Sequence, residues 1–481
     1  MASGYDGLRT CVPTLIDWGE LRGASIYARS DTKKQKLEDF QLTPDDALCK
    51  WSSFYSVLNM ANSVLKYAPD VQQNDETYQE GAMKAHLCEA YFMRALCYFY
   101  LVRNFRDVPL VVEPYVDDSA PYMIAKSSEK EVIAQIKSDI ETALETNAAP
   151  EFFDDEEWDG ATKGRATKWA LYALMADVSL WSEDYDNCIK YADLLINAPS
   201  TSPKRPVFMS SSDYKTFFGI YYPGNSNESI FELNFSGSLS QAKNSPSNSF
   251  TASGSASYLY TETMCDRLYE EAGELVAGSP VKSNRAYAAY MDNSSDEDTK
   301  TYSVWKYQGM NFSEEKNTSN IRPSYNIEGS SYQDGNFIVY RMADVLLMKA
   351  EALIWKGQEG FQGAVDLMNQ VRVRSALNPL RIDVTVTSQL DMLKTVLNER
   401  DMELAAEGKR WYDLLRLGRS LNYKYKEDFV NIIRENNQTA NPTWLASVLN
   451  QTDAWFLPIS QSELDVNPLL VQNPYYSGTT N

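Results

Sequence analysis

The stretch NERDMELAAEGKRWYDLLRLGR, Asn398 to Arg419, decides how the rest of the 481-residue chain is read. Leu390, Leu393, Leu397 and Leu404 recur at helical spacing, and the stripe they draw passes straight through Arg400. A guanidinium on a buried face needs partners. Glu403 and Glu407 stand one and two turns further on, so the spacing predicts an ion pair inside the fold between Arg400 and these carboxylates. Gly408 is expected to end the helix as its C-terminal cap. Trp411, Leu414 and Leu415 then open a second short helix packed at an angle to the first.

Upstream, a pattern of helical hairpins repeats. Ala176 and Trp181 are followed by Tyr185 and Cys188, and Ala350 and Trp355 by Phe361 and Ala364 in the same order; Ala95 and Tyr100 repeat the first half. Small residues let paired helices approach closely, while the aromatics fill the space between neighbouring pairs. Stacked hairpins of this kind bury their faces only against one another, so a diverged tetratricopeptide-like scaffold is expected. Two further helices are predicted, WSSFYSVLNMANSVLKY from Trp51, with Asn62 on its apolar face as a structural residue, and a nearly all-apolar one from Gly81 to Phe105. Leu8, Val12, Leu15 and Ile16 predict a short or bent opening helix interrupted by Pro13, and Trp18 to Ser25 reads as a loop.

Between the hairpins the pattern changes. ESIFELNFS, Glu228 to Ser236, alternates like a strand, and the serine-rich residues 236 to 257 read as a long loop. The chain then stays irregular and tyrosine-dense through Tyr332, with Trp305 and Tyr307 on a strand-like VWKY whose aromatics face inward. The expected class is mainly α. An N-terminal helical scaffold covers 1–199, an irregular lobe with short strands 200–335, and a C-terminal hairpin, signature helix and extended tail 336–481, in one fused body.

Composition excludes several functions. A formal charge of −21 with pI near 4.6 lacks the clustered basic residues that phosphate neutralisation needs. No window holds the roughly 18 apolar residues of a membrane helix. Cys11, Cys49, Cys88, Cys97, Cys188 and Cys265 form no CxxC pair and are expected as buried thiols. His86 and Cys88 lack further ligands at metal spacing, and the run DNSSDED from Asp292 lacks the glycine and terminal glutamate of a calcium loop, so no metal is expected. With one histidine, no GxSxG, no HExxH and no P-loop, neither catalytic residues nor a cofactor are expected.

The run ERDMELAAEGKRWYDLLRLG resembles the C-terminal signature of the SusD/RagB family, surface nutrient-binding lipoproteins that work with TonB-dependent transporters in Bacteroidetes. WFLPISQSELDVNPLLVQNPYY, Trp455 to Tyr476, is similar to the family's closing motif, with Ser460 and Tyr475 where proline and glycine are usual. In that tail Ser460 and Glu463 are placed to cap a short helical turn. The Gly-Glu-Leu-Arg-Gly turn after Trp18, the helix with Asn62, DVPLV after Phe105, the strand at Glu228 and the segment FIVYRMADVLLMKAEALIWKG, with Asp344 in place of glutamate, also resemble family segments. The resemblance implies a SusD-like α/α superhelix that is not an enzyme. It implies a lipid anchor ahead of this sequence, a surface-exposed place on the outer membrane and a SusC-like transporter as partner.

Two functions follow as expectations: capture of oligosaccharide or polysaccharide for the transporter, or a peptide- or protein-binding helical-repeat scaffold. Sugars present flat C–H faces ringed by hydroxyls, so a binder needs aromatic faces and planar hydrogen-bonding groups. Trp18, Tyr27, Tyr287, Tyr290 and Tyr325 are the expected stacking residues, with Arg22 and Arg29 as donors. The residues around Trp18 stand where the family tends to build ligand contacts.

Overall fold

The computed structural model describes residues 1–116, 122–145, 149–153, 160–210, 219–222, 224–236, 240–250, 256–273, 283–295, 300–308 and 335–478, and the chain is mainly α-helical. Among these residues no helix is long and apolar enough to cross a membrane. The Ser52–Asn74 and Glu80–Phe105 helices pair, and Glu129–Glu145 packs on the second of them. Lys168–Trp181 follows and pairs with Tyr185–Ile196, which in turn packs on Met342–Lys356, the first helix of a hairpin completed by Phe361–Arg374. The repeat does what its residues require. Ala176, Ala350 and Ala364 are fully buried, and the Tyr185 ring stacks on Trp355 across neighbouring hairpins at 5.9 Å and 9°.

The opening helix runs as one element from Ala2 to Glu20 with Pro13 inside it, rather than as a short helix. Leu8, Val12, Leu15 and Ile16 are all buried, and that tertiary burial outweighs the hydrogen bond proline removes. The segment from Trp18 to Ser25 is a connection only in its second part. It finishes this helix, makes a tight turn at Leu21–Gly23 and enters a strand at Ile26–Ala28. That strand edges a four-stranded antiparallel sheet in the order Ile26–Ala28, Tyr258–Tyr260, Tyr302–Val304, Tyr290–Asp292, which ties the N-terminus to the middle of the chain. Ser229–Leu233 pairs with Phe337–Arg341, so the chain leaves and re-enters the helical body side by side. Within residues 236–257 the described part is more ordered than a plain loop, with a helical turn at Pro246–Ser249 capped by Ser245. All six cysteines are buried free thiols.

The signature helix spans Gln389–Glu403, ending short of Gly408, which instead takes a positive φ of 72° in the turn that follows. Space explains this. A Cβ on Gly19 would lie 2.1 Å from the Gly408 carbonyl oxygen, so the opening helix and this turn touch backbone to backbone. Glu20 fastens the contact by accepting from the amides of Gly408 at 2.6 Å and Lys409 at 3.2 Å.

Arg400 is buried and paired, but not with the carboxylates on its own helix. Its partners are Asp344 at 3.0 Å and Asp413 at 2.9 Å, brought in by neighbouring helices. Glu403 and Glu407 are taken by other cations. Arg341 lies 2.7 Å from Glu403 and 2.8 Å from Glu407, Arg374 lies 2.5 Å from Glu403, and Lys306 lies 2.8 Å from Glu407. The spacing rule sees only one helix, whereas buried charges are matched in three dimensions.

Burial alone would raise the Asp344 and Glu403 carboxyls, but Lys409 and Arg400 hold the first, and Arg374 and Arg341 the second, at about 2. Burial pushes Glu20 the other way, up to about 8, against the pull of its two amide donors. Removing one partner of a buried pair leaves the other charge uncompensated, so Arg400→Ala should cost about 3–5 kcal/mol and lower the melting temperature by several degrees. Melting followed against pH should fall away on both sides. The contribution of Asp344 and Glu403 is full above their ordinary carboxyl values and lost as pH falls through about 2. That of Glu20 is full below its ordinary value of 4.5 and lost as pH rises through about 8, so Glu20→Gln should flatten the alkaline limb.

Candidate functional site

Beyond the Glu80–Phe105 helix the chain turns through Pro109 and crosses the outer face of the Ser52–Asn74 helix. This segment has only a two-residue strand pairing, Val108–Pro109 with Lys126–Ser127, so side chains must satisfy most of its backbone. Tyr55 donates its hydroxyl to the Pro109 carbonyl at 2.7 Å. Tyr98 donates to the Val111 carbonyl at 2.8 Å and accepts from the Val111 amide at 2.6 Å. Asn62 donates to the carbonyls of Val111 and Glu113, and its own oxygen accepts from Arg94, which forks onto Asp139 at 2.8 and 2.6 Å. Asn59 brackets Tyr115, accepting from its amide at 2.7 Å and donating to its carbonyl at 3.3 Å. Asn62 is thus the structural residue its place on an apolar face suggests. The whole set presents Tyr115 from a rigid support.

Tyr115 stacks on Tyr122, with ring centroids 5.4 Å apart and planes within 14°. Beside them lie two adjoining hollows of about 320 and 310 Å³ that share Trp51, Tyr55, Tyr115 and Glu463. Trp51 is held edge-on to Phe105 at 5.1 Å and forms part of the floor. Ser52 and Ser56 line one end of the groove. The opposite wall comes from the C-terminal tail, where Asn467 donates to the Ile124 carbonyl at 2.9 Å and so joins the two walls. Tyr122 is 56% exposed.

Glu463 was expected to close a capping box with Ser460. The turn forms at Gln461–Val466 with Ser460 at its N-cap position, but without a side-chain cap, because the Ser460 hydroxyl is engaged with Ser462 at 3.0 Å. The Glu463 carboxylate instead borders both hollows, with no hydrogen bond or ion pair to a described residue. Aromatic faces, hydroxyls and a spare carboxylate along an open groove suit a ligand with flat apolar faces and hydroxyl edges.

A sequence profile described as SusD family matches residues 322–476, and one described as starch-binding associating with outer membrane matches residues 22–180. SusD-like protein P38 of Formosa agariphila is 27% identical over 472 residues, covering 88% of this chain and 83% of that protein. The chain belongs to the SusD/RagB family. A SusD superfamily protein from Bacteroides thetaiotaomicron superposes with TM-score 0.73 at 20% identity, over 99% of this chain and 98% of the other. Surface glycan-binding protein A from Bacteroides uniformis does so with TM-score 0.69 at 22% identity, over 98% and 97%.

The SusD/RagB segments meet in space, and this relocates several expected contact residues. Trp18 is 0% exposed, stacked on Phe54 at 5.1 Å and edge-on to Phe105, with its indole N–H donated to the Leu48 carbonyl. It has no face left for a sugar. Arg22 is 1% exposed and donates to the Trp455 carbonyl and the Asn104 side chain while lying 4.4 Å over the Trp411 ring, so it locks three family segments together. Tyr290 is 1% exposed and stacked on Tyr302 at 4.2 Å. These three are core residues, corrected from ligand contacts because their bonding capacity is spent inside the fold. Tyr27 is half-buried on its strand and Arg29 is exposed beside it. Tyr325 and the side chain of Tyr287 lie outside the described residues. Trp305 and Tyr307 do face inward.

The groove residues carried a weak signal. Trp51 and Tyr55 fall on the same stripe as Leu58, but Ser52, Ser56 and Asn59 flank that stripe and leave part of it wet. If Asn59 fixes Tyr115, Asn59→Ala should speed hydrogen exchange of the Tyr115 amide by about tenfold, the equivalent of roughly 1.4 kcal/mol of lost bonding, with little change in global melting. Exchange at an unchanged rate would show that the segment is held by other contacts.

Proposed function

We propose that this SusD/RagB protein captures oligosaccharide at the cell surface without catalysing a reaction on it. It then hands the load to a SusC-like TonB-dependent outer-membrane transporter. The observation that supports capture most directly is the Tyr115–Tyr122 pair beside the Trp51–Tyr55 groove, with the backbone of Tyr115 held from both sides by Asn59. The glycan-binding role named for the Bacteroides uniformis relative supports the same reading. Tyr27 and Arg29 are proposed as further contacts outside the groove. Delivery rests on family membership, as does a lipid anchor holding the protein at the outer face of the outer membrane.

An open groove with few contacts binds weakly, with Kd of about millimolar to micromolar, or roughly −4 to −8 kcal/mol. Titration calorimetry against a glycan panel tests the site. The Tyr115→Ala/Tyr122→Ala pair should weaken the best ligand by about tenfold or more while the melting temperature holds, given about 0.5–1.5 kcal/mol per aromatic contact. Undiminished binding by a folded double variant would move the site elsewhere. For delivery, the lipidated form purified from its native membrane should bring a barrel transporter with it, and recovery without one would count against that step.

A further inference from the structure

We infer that the groove takes neutral glycans and that Glu463 is the side chain that turns acidic ones away. This rests on the groove being the glycan site. Among the described residues bordering the two hollows there is no lysine, arginine or histidine, and Glu463 is the single carboxylate. Recognition of a uronate or a sulfated sugar calls for a guanidinium or ammonium to meet the anionic group. Lys50 precedes Trp51 and Lys126 pairs with Pro109 across the short strand, but neither borders the hollows, and Lys66, further along the Ser52–Asn74 helix, is engaged with Glu113 at 3.1 Å. An acidic sugar ring would therefore bring its charge beside a half-buried carboxylate with no cation among the described lining residues to offset it, where both lose part of their screening by water. The formal charge of −21 on the whole chain adds to the repulsion at longer range.

The same carboxylate favours a neutral ligand. It is acceptor-only, and its two oxygens receive hydrogen bonds from adjacent ring hydroxyls. Nothing described in the fold competes for it, because the capping box that would have engaged Glu463 does not form. The other polar groups at the groove are hydroxyls and amides: Ser52 and Ser56 at one end and Asn467 at the other, with Asn59 engaged with Tyr115 and Asn467 with the Ile124 carbonyl and the Leu469 amide. Such a lining reads hydroxyl pattern and ring shape. It does not read charge.

The test uses calorimetry on the folded protein with neutral polysaccharides (starch, laminarin, mannan) and anionic ones (alginate, polygalacturonate, carrageenan). The expected result is a ligand among the neutral set, with affinity changing less than about twofold between 50 and 500 mM NaCl, and at least tenfold weaker binding of every anionic one. Glu463→Gln, which keeps the shape and one acceptor, should weaken the neutral ligand about three- to tenfold and narrow the gap to the anionic set. Tightest binding of an anionic glycan, lost in Tyr115→Ala/Tyr122→Ala, overturns neutral selectivity while the groove reading stands. Tight neutral binding that neither that double variant nor Glu463→Gln alters overturns the groove reading itself. Binding of nothing in either set overturns both.

Discussion

An ionised carboxylate is tolerated in the interior where cations or donated hydrogen bonds compensate it, and Glu403 is the point at which this constraint organises the fold. It is fully buried. Arg341 and Arg374 lie 2.7 and 2.5 Å away, and Arg285 stands at 3.6 Å. These three arginines come from the end of a strand, the end of a hairpin helix and the middle of the chain, so one side chain on the signature helix makes each of those elements necessary to the others. Arg341 and Arg374 also reach Glu228, which extends the lattice to the strand where the chain leaves the helical body. A lattice of this kind adds little stability over well-packed apolar residues, yet breaking any one member is costly. Its effect is to specify which elements meet.

The family segments are far apart in sequence and close in space for the same reason. Gly19 touches the Gly408 carbonyl, Glu20 holds the turn there, and Arg22 reaches Asn104, Trp411 and the tail at Trp455. A residue with an aromatic or basic side chain in a glycine-containing turn looks from the sequence like a surface contact. Here it is the opposite, because Gly19 lies against the Gly408 backbone and Gly23 against the Arg410 side chain, and the side chains between them are buried. The helices, the hairpin repeat and the buried leucine stripe were legible, since periodicity reports which face is buried. Partners such as Asp344 and Asp413 for Arg400 were not legible, since no spacing rule links helices separated by a loop or by half the chain. Tyrosine raised a related difficulty. Tyr258, Tyr260, Tyr290, Tyr302 and Tyr307 are all buried, each bringing a large ring to a region poor in leucine and isoleucine, and composition alone does not separate such a ring from an exposed platform.

The groove was hidden for another reason. Tyr115 and Tyr122 sit in a segment without periodicity, and the tail wall is contributed by residues some 340 positions away, as in the bond from Asn467 to Ile124. What makes the segment a credible support is the investment around it: Asn59, Asn62, Arg94 and Tyr98 together satisfy backbone that a strand partner would otherwise have paired. A loop held this way loses little further freedom when a ligand arrives, so weak contacts are not consumed in ordering it.

That matters for the proposed role. A protein that captures a glycan in order to release it to a second protein gains nothing from tight binding, because residence time lengthens as affinity rises while association rates stay within about 10⁵–10⁷ M⁻¹s⁻¹. At a Kd of about micromolar to millimolar, dissociation takes about ten seconds or less at such rates, fast enough for transfer. Selectivity must then come from weakening the wrong ligands rather than from binding the right one more tightly. On the proposed reading, an aromatic edge that stacks many flat rings, beside a carboxylate that repels like charge, supplies it: ring stacking retains, and Glu463 sorts.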